Sequence, residues 1–218
     1  LSAEIAGPQR RIFMNARDIE LEKSVINGDY HRSMLKYLVS EGFPEEIVIR
    51  IIKTNPAKSF SLQKMEPRFT SIADGDLINI GDHRLQVVAV PGHSPGNCMF
   101  WLEKPGIMFT GDHILFDITP NISAHSDQDD SLGVFLASLD RVRDYPVRLA
   151  LPGHRKSGQY QKRIDALIRH HEHRISEVET IVRNTPGLDA YEITARMTWR
   201  IRAKNWENFP EITKWYAV

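Results

Sequence analysis

Hydrophobic and polar positions divide the chain into stretches of different period. The run RIFM at 11–14 follows a Gly7-Pro8 turn and predicts a short strand. From 18 to 54 the apolar residues recur at helical spacing. Leu21, Val25 and Ile26 lie on one side, as do Met34, Leu35, Leu38 and Val39. Gly42 and Pro44 interrupt this pattern, and EEIVIRIIK resumes it with acidic residues in the first turn, where they complement the helix dipole. Residues 69–112 change character: FTSI, DLINI, HRLQVVAV, NCMFWLE and GIMFT are short, rich in β-branched and aromatic residues, and separated by Gly, Pro and Asp. They predict a run of mostly antiparallel strands joined by tight turns.

Residues 128–143 predict a helix, with Asp129, Asp130 or Ser131 as its cap and Leu132, Phe135, Leu136 and Leu139 as its apolar stripe. RLALPG at 148–153 reads as a buried strand. One long helix is expected over 159–183, with Ile164, Leu167, Ile168, Ile175, Val178 and Ile181 turned inward and Thr185-Pro186-Gly187 as its stop. A further helix over 189–202 opens with Asp189 and Glu192 in capping-box register. Strands, a helix, a strand and then helices alone predict a layered α/β body with a helical C-terminal appendage.

Composition narrows the class. At 218 residues, 41% hydrophobic and 26% charged, the sequence is that of a globular chain, and a disordered or collagen-like one is excluded. No apolar run approaches the ~18 residues of a membrane span. A single cysteine, Cys98, allows neither an intrachain disulfide nor a Cys-rich zinc ribbon. The opening LSAEIAGPQRR lacks the apolar centre of a signal peptide, so a reducing, cytoplasmic location is expected. Lys plus Arg balance Asp plus Glu at 28 each, which argues against nucleic acid as the main partner. The balance conceals a split: residues 1–154 carry 16 basic and 20 acidic side chains, and residues 155–218 carry 12 and 8. A solvated helical surface accounts for the basic end more simply than phosphate binding does.

Three segments repeat one device. LQVVAVPGH, IMFTGDH and RLALPGH each run as a strand into glycine and then a potential metal ligand: His93, Asp112 and His154. A strand fixes the direction of the chain, glycine permits a sharp turn, and the polar side chain stands at a rigid edge. Two imidazoles and a carboxylate form a donor set accepted by zinc, iron or manganese. Three such termini, 19 and 42 residues apart, are hard to explain as ordinary turns.

PGHSPGN, FTGDHIL and LPGH, in this order and spacing, resemble the second half of a metallo-β-lactamase-fold hydrolase over roughly residues 1–158. The resemblance implies an α/β fold, an αββα sandwich present in part, with a helical insert at 18–65 that shapes the pocket. It also implies a site for one or two divalent metal ions, zinc first, with iron or manganese as alternatives. His93 would be a ligand of the first metal and His154 of the second. Asp112 would bridge both and, as the catalytic carboxylate, orient the nucleophile. The implied activity is hydrolysis, by a metal-activated water, of a small-molecule ester, thioester or lactone, as in glyoxalase II-like enzymes. Residues 159–218, through IRHHEHRISEV and AYEITARMTW, are similar to the all-helical or winged-helix-like extension of the lactamase-like branch.

The sequence departs from the family in one large respect: the upstream H-x-H-x-D-H signature has no match. His171 and His173 form the sole H-x-H, inside a predicted helix where residues two apart do not share a face. The opening segment is instead similar to the stretch downstream of the signature. The expectation is therefore that the N-terminal third of such a domain precedes Leu1, and that the three ligands present here bind metal weakly and support no turnover alone. Arg155 stands where many relatives carry glycine.

The other histidines have plainer readings. Gly81-Asp82-His83 repeats a Gly-Asp-His triplet but sits where a hairpin needs its turn. His113 packs or lines the cleft, His125 belongs to a loop, His31 to an exposed helix, and His170, His171 and His173 are surface or helix-packing residues. Cys98 reads as a small buried hydrophobe. Trp199, Trp206 and Trp215 read as the core of the appendage. Two rival functions stay open: a phosphodiesterase or ribonuclease on the same fold, favoured by the basic end, and a binding protein that has lost its metals.

Overall fold

The computed structural model describes residues 11–54, 69–124, 130–199 and 205–218. The elements in chain order are β1 (Ile12–Asn15), α1 (Ala16–Asn27), α2 (Asp29–Ser40), α3 (Glu45–Thr54), β2 (Phe69–Ile72), β3 (Leu77–Ile80), β4 (His83–Ala89), β5 (Cys98–Leu102), β6 (Ile107–Gly111), α4 (Ser131–Val142), β7 (Leu149–Pro152), α5 (Tyr160–Asn184), α6 (Ala190–Arg196), a 3-10 turn (Trp206–Asn208) and α7 (Glu211–Ala217). Two compact units result. A sheet unit takes in residues 1–24 and 62–169, and a helical unit takes in 25–61 and 170–218.

In the sheet unit, β3 to β7 form one sheet in sequence order, antiparallel from β3 to β6 and parallel between β6 and β7. Strand alternation sends Met99 and Trp101 of β5, Met108 of β6, Val88 of β4 and Ala150 of β7 into one core. Phe135, Leu139 and Val142 of α4 and Ile164 and Leu167 of α5 complete it. The alternate residues point the other way, and there Phe109 and Leu149 are exposed. β7 is thus apolar but only half covered, contrary to the buried strand expected at 148–153. Gly81 (φ 58°) and Asp82 form the two-residue turn between the paired Ile80 and His83, so that Gly-Asp-His is a hairpin turn. Asp130 caps α4 by accepting from the Gly133 N–H at 2.7 Å.

FTSI does not join the antiparallel run. It is β2, and it pairs in parallel with β1 in a separate two-stranded sheet, with Ile12 opposite Phe69. The cause lies in the next four residues. Gly75 takes a left-handed backbone (φ 81°), and the Asp76 carboxylate accepts from the Ala73 N–H at 2.8 Å. The chain therefore turns out of β2 before β3 begins.

The helical unit has its own core of Met34, Leu38, Phe43, Val48, Ile51 and Ile52, with Tyr30, Tyr37, Tyr191 and Trp215 packed against it. Trp206 and Phe209 are buried, their rings 5.0 Å apart, and Trp199 stacks on Trp206 at 6.4 Å. Trp206 is buried, and Trp199 and Trp215 are half-buried against their neighbours in this unit, in keeping with the core reading of the three tryptophans. Among its described residues the region after 170 contains helices and no strand.

Three helical expectations need correction. Gly28, at φ 83°, splits the first helical stretch into α1 and α2 although the apolar period runs through it. Ile175 of α5 is exposed. The inward position is taken by Arg174, whose guanidinium lies 4.5 Å over the Trp199 ring and donates to the Thr198 carbonyl at 2.6 Å. The helix expected over 189–202 ends at Arg196, because the Thr198 N–H turns to the Glu177 carboxylate and the Trp199 indole donates to the Thr194 carbonyl at 2.9 Å. Its start is as expected, a capping box between Asp189 and Glu192. No helix among the described residues is long and apolar enough to cross a membrane.

Candidate functional site

Everything that positions the candidate residues belongs to the sheet unit. β4, β6 and β7 each end in a turn that sets one side chain at the same edge. After β4 the chain turns at Gly92 (φ 134°), where a Cβ would lie 2.5 Å from the Phe135 Cβ. Only glycine lets this loop lie so close to α4. After β6 the turn is Gly111 (φ 50°). After β7 the Gly153 N–H donates to the Gly111 carbonyl at 2.8 Å, which locks the last two turns together. A Cβ at Gly153 would stand 2.6 Å from Asp112 Oδ1.

The result is a cluster centred on Asp112. His93 Nε2 lies 3.7 Å from Asp112 Oδ2, and His154 Nε2 lies 3.4 Å from Asp112 Oδ1. The three residues chosen from the sequence are thus brought together. Their exposure grades outward: 31% for the His93 and Asp112 side chains and 63% for His154. His93 is oriented from behind, for its Nδ1 lies 2.7 Å from the Asn121 carbonyl oxygen. A carbonyl only accepts, so Nδ1 carries the hydrogen, and in the neutral ring Nε2 is a bare lone pair facing a carboxylate. Asp112 Oδ1 is itself buried with no hydrogen-bond donor. With the His93 ring neutral, its Nε2 lone pair and the Asp112 carboxylate point towards one place, an arrangement that suits a cation. The donor set fits a divalent metal in kind. It is not a closed site: among the described residues, no group of three or more His, Cys, Asp or Glu side chains is arranged to hold a metal ion by itself.

Arg163 has a supporting role that the sequence did not disclose, whereas His113 packs as expected. Arg163 of α5 donates to the Ile118 carbonyl at 2.7 Å and to that of Leu115. It anchors the segment that carries Asn121, and burial lowers the pKa of its guanidinium. His113 is fully buried, edge-on to Phe135 at 4.9 Å, and burial pushes its pKa down to about 3, with His93 adding to the shift. It is a neutral packing residue. The Cys98 thiol donates to the Gly96 carbonyl at 3.2 Å, and burial followed by the charge of Asp18 raises its pKa to about 11. A thiol held protonated in this way is no nucleophile. His125 lies outside the described residues. His31 is half-buried, edge-on to Tyr30. His171 is buried while His170 and His173 are exposed.

Comparison with known proteins agrees with this architecture. The profile of the metallo-beta-lactamase superfamily matches residues 34–154, more than half of the sequence. The chain belongs to the metallo-beta-lactamase superfamily. Among curated relatives, the acyl-coenzyme A thioesterase MBLAC2 of Homo sapiens is 32% identical over 98 residues, 45% of this chain and 35% of that protein. A hydroxyacylglutathione hydrolase of Maricaulis maris is 37% identical over 62 residues, 25% of this chain and 24% of that protein. The crystal structure of a metallo-beta-lactamase family protein from Thermus thermophilus superposes with a TM-score of 0.71 at 21% identity, covering 95% of this chain and 64% of that one. The α/β fold with its helical C-terminal region is therefore that of the family. The chain spans less than two thirds of the length of each of these relatives.

Proposed function

We propose that the chain supplies part of the active site of a metal-dependent hydrolase acting on a small-molecule ester, thioester or lactone. The carrying observation is the bare Nε2 of His93 and the unpartnered Oδ1 of Asp112, set around one carboxylate at the ends of three strands. The named activities of the relatives, an acyl-coenzyme A thioesterase and a hydroxyacylglutathione hydrolase, support thioesters as the substrate class. Equal numbers of acidic and basic side chains favour a small molecule over nucleic acid, and the single cysteine suits a cytoplasmic setting.

His93 and His154 would each anchor a metal ion, zinc before iron or manganese, and Asp112 would reach both. Such an ion, when bound, lowers the pKa of water towards ~7 and stabilises a developing oxyanion. The protein's own part is orientation. Asn121 fixes the His93 tautomer, and the bond from Gly153 to Gly111 keeps the His154 turn against Asp112. His113, next to Asp112 in the chain, is buried edge-on against Phe135. The test is Asp112→Ala in the full protein, assayed on thioester, ester and lactone probes with and without a chelator. Turnover should fall more than ~100-fold, beyond the usual loss for residues that only support a ligand. Turnover within twofold of the parent refutes the assignment.

A further inference from the structure

His93 is oriented at its ring by Asn121, but the loop that carries it has a second anchor. The loop 91–97 leaves β4 and returns to β5, closed at its base by the Val90 N–H donating to the Asn97 carbonyl at 2.8 Å. Asp18, in the first turn of α1, reaches into it. Its Oδ2 accepts from the Ser94 hydroxyl at 2.8 Å, and its Oδ1 accepts from the Gly96 N–H at 2.7 Å. The fit is close, since a Cβ at Gly96 would stand 2.7 Å from the Asp18 backbone nitrogen and 2.8 Å from its Cγ. Pro95, between the two bonded residues, is buried. One carboxylate thus satisfies two donors of a loop seven residues long, and the nearer of them belongs to the residue after His93. Charge-assisted bonds of this kind are short and directional, and a bidentate pair fixes orientation as well as position.

We infer that Asp18 is a positioning residue for the metal site: it clamps the loop 91–97 so that His93 Nε2 is held towards Asp112 before any ligand arrives. The inference rests on the reading of His93 and Asp112 as metal ligands. Asp18 itself touches neither metal nor substrate in this scheme. Pre-organisation of this kind appears as ligand affinity and kcat, because a mobile His93 must be ordered when metal binds.

The experiment uses the full protein and Zn2+ alone as probe, with affinity read by competition against a chromophoric chelator and thermal midpoints recorded for every variant. Asp112→Ala should lose zinc at the site, which secures the underlying reading. Asp18→Ala should then bind zinc about tenfold more weakly. Its kcat should fall by a similar factor and its KM should stay within twofold. Asp18→Asn should remain within about threefold of the parent, since its amide oxygen still accepts from Gly96 and the Ser94 hydroxyl can reverse its bond. Should Asp18→Ala not fold, Ser94→Ala removes one bond alone and should weaken zinc two- to fourfold. Parental zinc affinity in Asp18→Ala, or in Ser94→Ala if that variant carries the test, overturns the clamp while Asp112→Ala leaves the metal reading intact. A lowered thermal midpoint with parental affinity is the same negative result. Undiminished zinc binding in Asp112→Ala overturns the metal reading and the clamp together.

Discussion

The two units are built on different principles. In the sheet unit the core comes from strand alternation: Val88, Met99, Trp101, Met108 and Ala150 each descend from a paired strand on to α4 and α5. In the helical unit rings and cations do the joining. Phe43 meets Tyr191 edge-on at 5.0 Å, Arg174 lies over Trp199, and Lys214 lies 5.5 Å from the Trp206 ring centroid. The first scheme leaves strand ends as rigid ledges, and glycine turns set polar side chains on them facing one another. In the second scheme polar side chains find partners in the Arg50–Glu211 ion pair (2.8 Å) and the Asp189–Glu192 capping box. The acceptor atoms gathered around Asp112 lie in the sheet unit, and the proposed chemistry rests on them.

The sharpest way to break this comparison is to disturb a ledge. Gly92→Ala places a methyl group 2.7 Å from the Phe135 Cα, a backbone atom that does not swing aside, at a φ of 134° that side chains avoid. Overpacking and backbone strain together should cost about 3 kcal/mol or more. Chemical denaturation with hydrogen exchange resolved by segment should show the loss in β4 to β7. Loss below ~1 kcal/mol would mean that the loop relaxes freely, and the rigid-ledge account would fail.

The same contrast explains what was legible in the sequence. The three ligand candidates are local signals, because strand, glycine and polar residue are adjacent in the chain and each needs only its own segment to be recognised. β3 to β7, α4 and the start of α6 were legible for the same reason. What escaped depends on distant partners. Nothing near Ile175 announces that Arg174 turns inward, for the Trp199 ring is 25 residues away. FTSI reads as one more meander strand until the Gly75 turn removes it. Asp18 looks like a helix-start acid, and its bonds to Ser94 and Gly96 span 76 and 78 residues. Asn121, which decides the tautomer of His93, acts through its backbone carbonyl and so leaves no mark in residue type.

The helical unit has a pH-dependent feature of its own. His171 is 8% exposed, and burial lowers its pKa to about 4, with His170 and Arg174 adding repulsion. A base whose pKa is depressed by folding binds its proton more tightly when unfolded, so stability is lost as pH falls from about 6.5, the unfolded value, towards 4. His171→Leu should flatten the dependence of the thermal midpoint on pH within that window, leaving it less steep than in the parent. An unchanged slope would place the acid sensitivity elsewhere.

The smallest expected effect lies at the rim of the site. Arg155, one residue past His154, is the sole non-glycine with positive φ among the described residues, at 65°. The resemblance leads one to expect glycine here, and glycine adopts a left-handed backbone without strain. A side chain in left-handed backbone costs about 1–2 kcal/mol, while glycine gives back about 0.5–1 kcal/mol through the entropy of the unfolded chain. Arg155→Gly should therefore stabilise the fold by no more than about 1.5 kcal/mol, read as a small rise in the denaturation midpoint at constant slope. The comparison between units sharpens the expectation. If the strand ends are rigid ledges, the strain at 155 is held by the bond from Gly153 to Gly111 and is released when glycine replaces arginine. A midpoint that falls instead would show that the Arg155 side chain contributes more in contacts than its backbone costs, and would make the rim of the site a stabilised structure in its own right.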